Sequence, residues 1–339
     1  MPKDNSQPHL YLYKCSLLFC LNSKKNQFIN GLNGSLEIGS AIYLHMKKVS
    51  IITVNYNGVT DTCEMIESLK RHENYPYELI VVDNGSASLN DYTLLKEKYP
   101  DAKVIRNDIN LGFAEGNNIG VKQATGDYLF FLNNDTIITR PILEILVKRL
   151  DSDEKIGCVS PKTTFWPQNN KLQYAGATPM SYITLRNEFI GYSQEDDGRF
   201  DVPQETAFAN GAAMMIRTAD IQKFGYMSEY YFLYYEELDW CTFMHKAGFS
   251  IWYEPQAVVG HKESASVGLQ SPLQVYFHTR NRLIFAQRTL SDPFERKCSY
   301  LYQLFVALPK HFLTYLCKGK FKLILPLLKG GIDGISFIR

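Results

Sequence analysis

From Val49 onward the chain alternates between short β-branched apolar runs and stretches where apolar residues recur at helical spacing. Val49-Ser50-Ile51-Ile52-Thr53-Val54 has the composition of a buried strand, and Glu78–Asp83, Ala102–Arg106 and Asp127–Leu132 repeat that signature. Between the first two, Cys63, Ile66 and Leu69 mark a helix over Thr60–Arg71, with Thr60 or Asp61 as its cap. Residues 89–98 and Gly116–Ala124 suit further helices. Pro141 opens another that runs to Leu150, because a first helical turn does not need the N–H that proline lacks. Strands alternating with helices predict a mostly parallel, doubly wound sheet, in which ligands bind beyond the carboxyl ends of the strands. Asp83 and Asp135 both follow such strands, so topology alone brings two carboxylates to one rim.

The alternation fades after residue 160. Residues 161–205 are rich in Gly, Asn and Pro and read as short strands. They are followed by an apolar strand over Asn210–Arg217, a helix near Thr218–Phe224, an acidic helix start at Glu236–Asp239 and a strand at Ser250–Tyr253. From Arg296 to Arg339, apolar clusters are interspersed with Lys310, Lys318, Lys320, Lys322 and Lys329, with Asp333 as their one acidic counterpart. The first 45 residues differ from everything after them, being rich in Asn, Ser and Gly with little periodicity. Met46 is expected to be the natural start, preceded by a poorly ordered or artefactual extension whose deletion leaves activity intact.

Composition narrows the class. With 339 residues, 45% hydrophobic and 21% charged, the chain has room for one large α/β domain or two small ones. A formal net charge of +1 excludes a globally basic nucleic-acid binder, so no nucleic-acid partner is implied. No run of 18 apolar residues exists, and Leu10–Leu21 is too short to span a bilayer. Seven scattered cysteines without a CxxC pair form neither a zinc motif nor a disulfide framework, which points to a reducing cytoplasm.

Several clusters carry candidate chemistry. Asn133-Asn134-Asp135 ends an apolar strand, where a carboxylate can share a hard divalent cation with a nucleotide diphosphate; an Asx-turn closing the strand is the alternative. Asp83-Asn84-Gly85-Ser86 either holds a nucleobase or ribose or is a plain turn. In Arg106–Asn118, Gly112 allows close backbone approach to a ligand, and Asn117 and Asn118 sit near a helix start that favours phosphate. Glu236-Glu237-Leu238-Asp239 follows the aromatic run Tyr230–Tyr235. It offers either a general base or first-turn acids that suit the helix dipole. His261 is a structural imidazole or a second metal ligand, and Arg280 and Arg282 either contact phosphate or form a solvated face. The first strand runs into Asn55-Tyr56-Asn57-Gly58 instead of G-x-G-x-x-G, which argues against a nicotinamide-dependent dehydrogenase.

Taken together, VSIITVNYNG (49–58), VVDNGS (81–86), NLGFAEGNNIG (110–120), GDYLFFLNNDT (126–136), ANGAAMMIR (209–217), FLYYEELDWC (232–241), AGFSIWYEP (247–255), His261 and HTRNR (278–282) resemble family 2 glycosyltransferases of the GT-A fold, in particular a bacterial rhamnosyltransferase-like branch. The resemblance covers about residues 48–290. It implies an α/β, Rossmann-like, mostly parallel sheet with helices on both faces and a helical C-terminal tail. The implied organisation is a glycosyltransferase domain over 46–290, with a nucleotide-binding half over 46–150 and an acceptor half over 151–290, followed by a basic tail over 291–339. For the site, it implies donor contacts from Thr53, Asn55, Asp83, Asn84, Gly112, Asn117 and Asn134. Mg or Mn would be held by Asp135, the last residue of a DXD-type motif whose earlier acid is Asn133 here, together with His261. Glu237 would be the base, with Glu236 and Asp239 beside it, and Arg280 and Arg282 would contact acceptor or phosphate. The implied partners are a nucleotide-sugar donor and a glycan or lipid-linked glycan acceptor, as in the synthesis of bacterial surface polysaccharide. The lysine-rich tail suits an interfacial segment on the cytoplasmic face of the inner membrane. A catalytically inactive sugar-nucleotide-binding scaffold is the alternative.

Overall fold

The computed structural model describes residues 47–262 and 271–338. The expected extension over 1–45 and start at Met46 lie outside the described residues.

The first half builds a wound core in the predicted order. Strands β1 (Val49–Asn55), β2 (Tyr77–Asn84), β3 (Lys103–Asn107) and β4 (Tyr128–Leu132) alternate with helices α1 (Val59–His72), α2 (Leu89–Lys98) and α3 (Phe113–Val121). These four strands lie side by side and parallel in the order β3-β2-β1-β4. In β1, β2 and β4 most of the β-branched and aromatic residues are buried, on both faces, whereas those of the edge strand β3 are half-buried. Val49 and Ile51 pack with Met65, Ile66 and Leu69 of α1, while Ile52 faces Ala114 and Val121 of α3. That two-sided burial is why these runs carry no polar alternation.

Beyond β4 come β5 (Thr136–Ile138), α4 (Leu143–Asp151), β6 (Ile156–Phe165), β7 (Leu172–Tyr174), β8 (Gln204–Thr206) and β9 (Ala213–Arg217). The helices α5 (Ile221–Phe224) and α6 (Glu236–Lys246) precede the long strand β10 (Ser250–His261). The sheet continues β4-β9-β6-β10-β5, with β9 antiparallel to both β4 and β6. Three sequence readings need correcting. The β6 strand was hidden by Pro161 and by the fading alternation, yet it is buried from Ile156 to Thr164. The β10 strand runs eight residues past Tyr253, through a register shift between Glu254 and Val258. The α3 helix begins at Phe113, because Gly112, at φ 87°, turns the chain directly into it.

The C-terminal part is helical: α7 (Pro272–Thr289), α8 (Pro293–Tyr302), a π-helical turn over Gln303–Ala307, α9 (Leu308–Cys317) and α10 (Ile324–Ile338). Among the described residues no helix is long and apolar enough to cross a membrane.

Candidate active site

The parallel order places the ends of β1, β2 and β4 on one edge, as the topology required. Asn55 of β1, Asp83 of β2 and Arg106 of β3 stand opposite one another in register. Asp83 is fully buried. It accepts hydrogen bonds from Asn55 Nδ2 at 3.0 Å and from the Ser86 hydroxyl, and its other oxygen pairs with Arg106. Arg106, which the sequence reading did not single out, therefore stands between Asp83 and solvent. Asn55 also accepts from the Thr62 hydroxyl at 2.8 Å.

Several expected donor contacts also hydrogen-bond within the protein. Asn84 donates to Asn110 Oδ1 and to the Gly112 carbonyl, and accepts from Asn107 and the Leu111 N–H, so its amide anchors the loop before α3. Asn117 donates to the Phe113 carbonyl in its own helix. A side chain at Gly112 would collide with the Phe232 backbone, whose carbonyl accepts from the Phe113 N–H at 2.7 Å. The glycine thus packs against the aromatic loop ahead of α6. Asn134 donates to Thr62 at 3.0 Å. Thr53 is buried, and its hydroxyl has no partner among the described residues.

The turn after β4 brings two expected ligands together. Because β5 pairs antiparallel with the end of β10, His261 lies opposite Thr136, and the Lys262 N–H donates to the Asp135 carbonyl at 3.1 Å. His261 Nε2 stands 3.1 Å from Asp135 Oδ1, an oxygen that is buried and lacks a well-aligned hydrogen bond. Gln173 of β7 fixes the ring. Its Nε2 donates to the His261 carbonyl at 3.0 Å, so its Oε1 faces Nδ1 at 2.8 Å and that nitrogen must carry the proton. Nε2 is then turned toward the carboxylate, placed to donate to it as an imidazolium or, when unprotonated, to share a cation with it. Two ligands roughly 2.1 Å from one ion and at right angles sit about 3 Å apart, so the pair fits a small divalent cation. Burial pushes the Asp135 carboxyl up, but the imidazole beside it and Lys262 outweigh this and hold it below the usual carboxylate range. Among the described residues no third His, Cys, Asp or Glu joins the pair. Further ligands would have to come from the nucleotide and water, as is usual where a cation bridges to phosphates.

The acidic cluster opens α6, and the loop before it is strained. Phe232, Tyr234 and Tyr235 all have positive φ, at 69°, 67° and 80°. Such conformations persist only where neighbours enforce them, and here the neighbour is Asn281 of α7. Fully buried, it donates to the carbonyls of Tyr231, Leu233 and Tyr234 at 3.2, 2.8 and 2.9 Å. The sequence reading passed over Asn281 in favour of its neighbours. Those arginines serve the same loop: Arg280 donates to the Tyr231 carbonyl and Arg282 to the Tyr235 hydroxyl at 2.9 Å.

Held this way, Glu236 is buried with one oxygen unpartnered, and Glu237 is half-buried over Gly211. The residue after that glycine, Ala212, accepts from the Asn133 N–H, which ties this turn to the Asp135 turn. Burial pushes the Glu236 carboxyl well up, reinforced by the Glu237 charge, and burial also raises Glu237. Asp239 differs from both. It forms a two-point ion pair with Arg288, at 3.0 Å for each contact, and accepts from the Tyr231 hydroxyl, which leaves it no free face as a base. His278 stacks on Tyr234 and is pushed down to about 4, by burial and then by Arg282, so it is neutral at pH 7.

An open cavity of about 490 Å³, lined by Asn187, Glu188, Phe189, Tyr192 and Gln194, lies in the Gly- and Asn-rich region. The Leu172 N–H donates to the Gln194 carbonyl, so this wall joins β7, the strand that carries Gln173.

The family model described as glycosyl transferase family 2 matches residues 50–224, just over half of the chain. The chain is 33% identical over 132 residues to the uncharacterized glycosyltransferase YwdF of Bacillus subtilis, a match covering 37% of this chain and 49% of YwdF. It thus spans about half the length of that relative. Against the low-salt glycan biosynthesis hexosyltransferase Agl10 of Haloferax volcanii, identity is 25% over 297 residues, covering 85% of this chain and 91% of Agl10. The solved mannosyltransferase PcManGT from Pyrobaculum calidifontis, in complex with GDP-Man and Mn2+, superposes with a TM-score of 0.52 at 14% identity. That match covers 96% of this chain and 93% of the other, and it shows a shared GT-A fold.

Proposed function

The chain belongs to glycosyl transferase family 2, and on that premise we propose that it transfers a sugar from a nucleoside diphosphate sugar to a hydroxyl of a glycan or lipid-linked glycan, with inversion at the anomeric carbon. The observation that carries the reading is the largely buried Asp135–His261 pair at the sheet's rim, 3.1 Å apart, with its clamped imidazole. A divalent ion held there, Mg or Mn, would neutralise the diphosphate as it leaves. The rim residues of β1 and β2 supply the nucleotide side, where Arg106 either moves off Asp83 or contacts the nucleotide itself.

Glu237 is the proposed base. As the acceptor oxygen bonds to the anomeric carbon, the bond from that carbon to the phosphate oxygen breaks, its electron pair leaves with the diphosphate, and the acceptor proton passes to Glu237. Glu236 retains its own proton in its buried position, so that the neighbouring Glu237 can ionise. The cavity beside β7 offers two aromatic residues flanked by amide and carboxylate groups, which suits a sugar acceptor. Bacterial surface polysaccharide is the proposed product class.

Asp135→Asn keeps the shape of the side chain and removes its charge. Wild-type protein should show a thermal shift with nucleoside diphosphate that grows with Mn, and should release diphosphate from a nucleotide sugar. The variant should lose both the metal-dependent part of the shift and the release. Unchanged metal dependence and turnover in the variant would refute the assignment. Metal-dependent binding without any release would identify an inactive scaffold of the same fold.

A further inference from the structure

Among the described residues, the C-terminal helices have a face that no other element covers. Nearly half of the exposed large apolar side chains of the described residues fall between Phe294 and Ile332. On α10 the two sides are distinct. Leu323, just ahead of the helix, and Leu327 pack on Val275 of α7, and Gly330 and Gly334 let the helix lie close against that partner. Opposite them, at helical spacing, stand Phe321, Leu325, Leu328 and Ile332; of these, Phe321, Leu325 and Ile332 are 63, 74 and 63% exposed. The preceding helical stretch adds Phe305 and Leu313, at 72 and 56%.

From Val306 onward the charge of these helices is nearly all of one sign, and the one acid, Asp333, accepts from the Tyr276 hydroxyl of α7 at 2.7 Å. Lys310, Lys318, Lys320, Lys322 and Lys329 are all exposed, and no Asp or Glu occurs between Val306 and Ile332. We propose that this face docks on the anionic surface of a lipid bilayer, its apolar stripe entering the headgroup boundary and its lysines meeting the lipid phosphates. The charge of the chain favours that occupant over a second copy. A second copy related by a two-fold axis would set the same lysines against each other.

Docking itself does not depend on the glycosyl-transfer reading. What rests on that reading is the consequence that the acceptor is borne by a lipid. Because α10 packs on α7, and α7 carries Asn281 beneath the catalytic loop, the membrane would lie one helix layer from Glu237.

The test is co-sedimentation of the full chain with vesicles of neutral phosphatidylcholine and with vesicles containing about 30% phosphatidylglycerol, at about 0.1 M salt. Binding should favour the anionic vesicles at least tenfold and weaken in about 0.5 M salt. Each lysine near such a surface is worth about fivefold, so Lys322→Gln with Lys329→Gln should weaken binding roughly twenty-five-fold. Phe321→Glu with Leu325→Glu should abolish it. Both double variants should keep wild-type melting temperature and donor hydrolysis, which separates a failure of docking from a failure of the enzymatic reading. Equal binding to both vesicle types, or full binding by both double variants, would overturn the proposal. So would a doubled mass in light scattering that Phe321→Glu with Leu325→Glu returns to a monomer, because a second copy would then cover the face.

Discussion

Asn281 offers the sharpest test of how the site is assembled. Replacing it with leucine keeps its approximate volume and deletes both amide N–H donors. Three carbonyls then lose a donor, although Arg280 still reaches that of Tyr231 at 3.3 Å. The carbonyls of Leu233 and Tyr234 are left bare, and they are only partly shielded from water. At about 1 kcal/mol each, the toll of this deletion is about 2 kcal/mol. The loop that these bonds hold carries three non-glycine residues in the left-handed region, each costing on the order of 1 kcal/mol or more. The lost hydrogen bonds therefore rival the stored strain, and the loop should relax into an ordinary conformation without unfolding the domain. Urea denaturation should report a loss of at most about 2 kcal/mol, since relaxation of the loop offsets part of it. Turnover should fall by at least about tenfold, since Glu237 leaves its position when Tyr235 leaves φ 80°. Nucleotide affinity should stay within about twofold, because Asn55, Asp83 and Asp135 take their partners from outside this loop. Wild-type turnover with stability changed by less than about 0.5 kcal/mol would refute the reasoning. A loss of nucleotide affinity equal to the loss of turnover would refute the proposed division between donor rim and base.

Further outcomes follow from the same geometry. Glu237→Gln should lower transfer by about 100-fold to 10,000-fold while the metal-dependent thermal shift with nucleotide persists; loss of both would place Glu237 in donor binding. Glu236 has its carboxyl raised by burial, so its neutral form favours the fold below its unfolded value near 4.5, and that contribution is lost as pH rises through the folded value. Glu236→Gln should accordingly gain melting temperature over the wild type as pH climbs, and parallel pH profiles would refute the assignment of a buried acid. Gln173→Leu frees the His261 ring, and titration of Mn in the presence of nucleoside diphosphate should show about 10-fold to 100-fold weaker binding. Unchanged Mn affinity would reduce Gln173 to a packing residue.

The half of the fold that comes from local pattern was legible in the chain itself. Val49–Val54, Glu78–Asp83 and Tyr128–Leu132 are mostly buried on both faces, and such strands are predominantly apolar without alternation, so the runs mark themselves. Parallel winding then fixes which ends share a rim, and Asp83 and Asp135 could be put there without coordinates. The strand β6 was not legible, because an antiparallel neighbour and a register shift let Pro161 sit in a run that local rules read as broken. The identity of free and committed groups was equally invisible. Asn84 and Asp239 have the residue types of ligand and base, but hydrogen bonds to Asn107, Gly112, Tyr231 and Arg288 use up their polar atoms. Asn281 and Gln173 carried no signal, because an amide's partners are set by which carbonyls the tertiary fold brings within about 3 Å. Spacing along the chain reports which face a residue takes, whereas contacts between residues far apart in the chain, such as Asn281 with Leu233 (48 residues) or His261 with Gln173 (88 residues), exist only once the sheet and helices have packed.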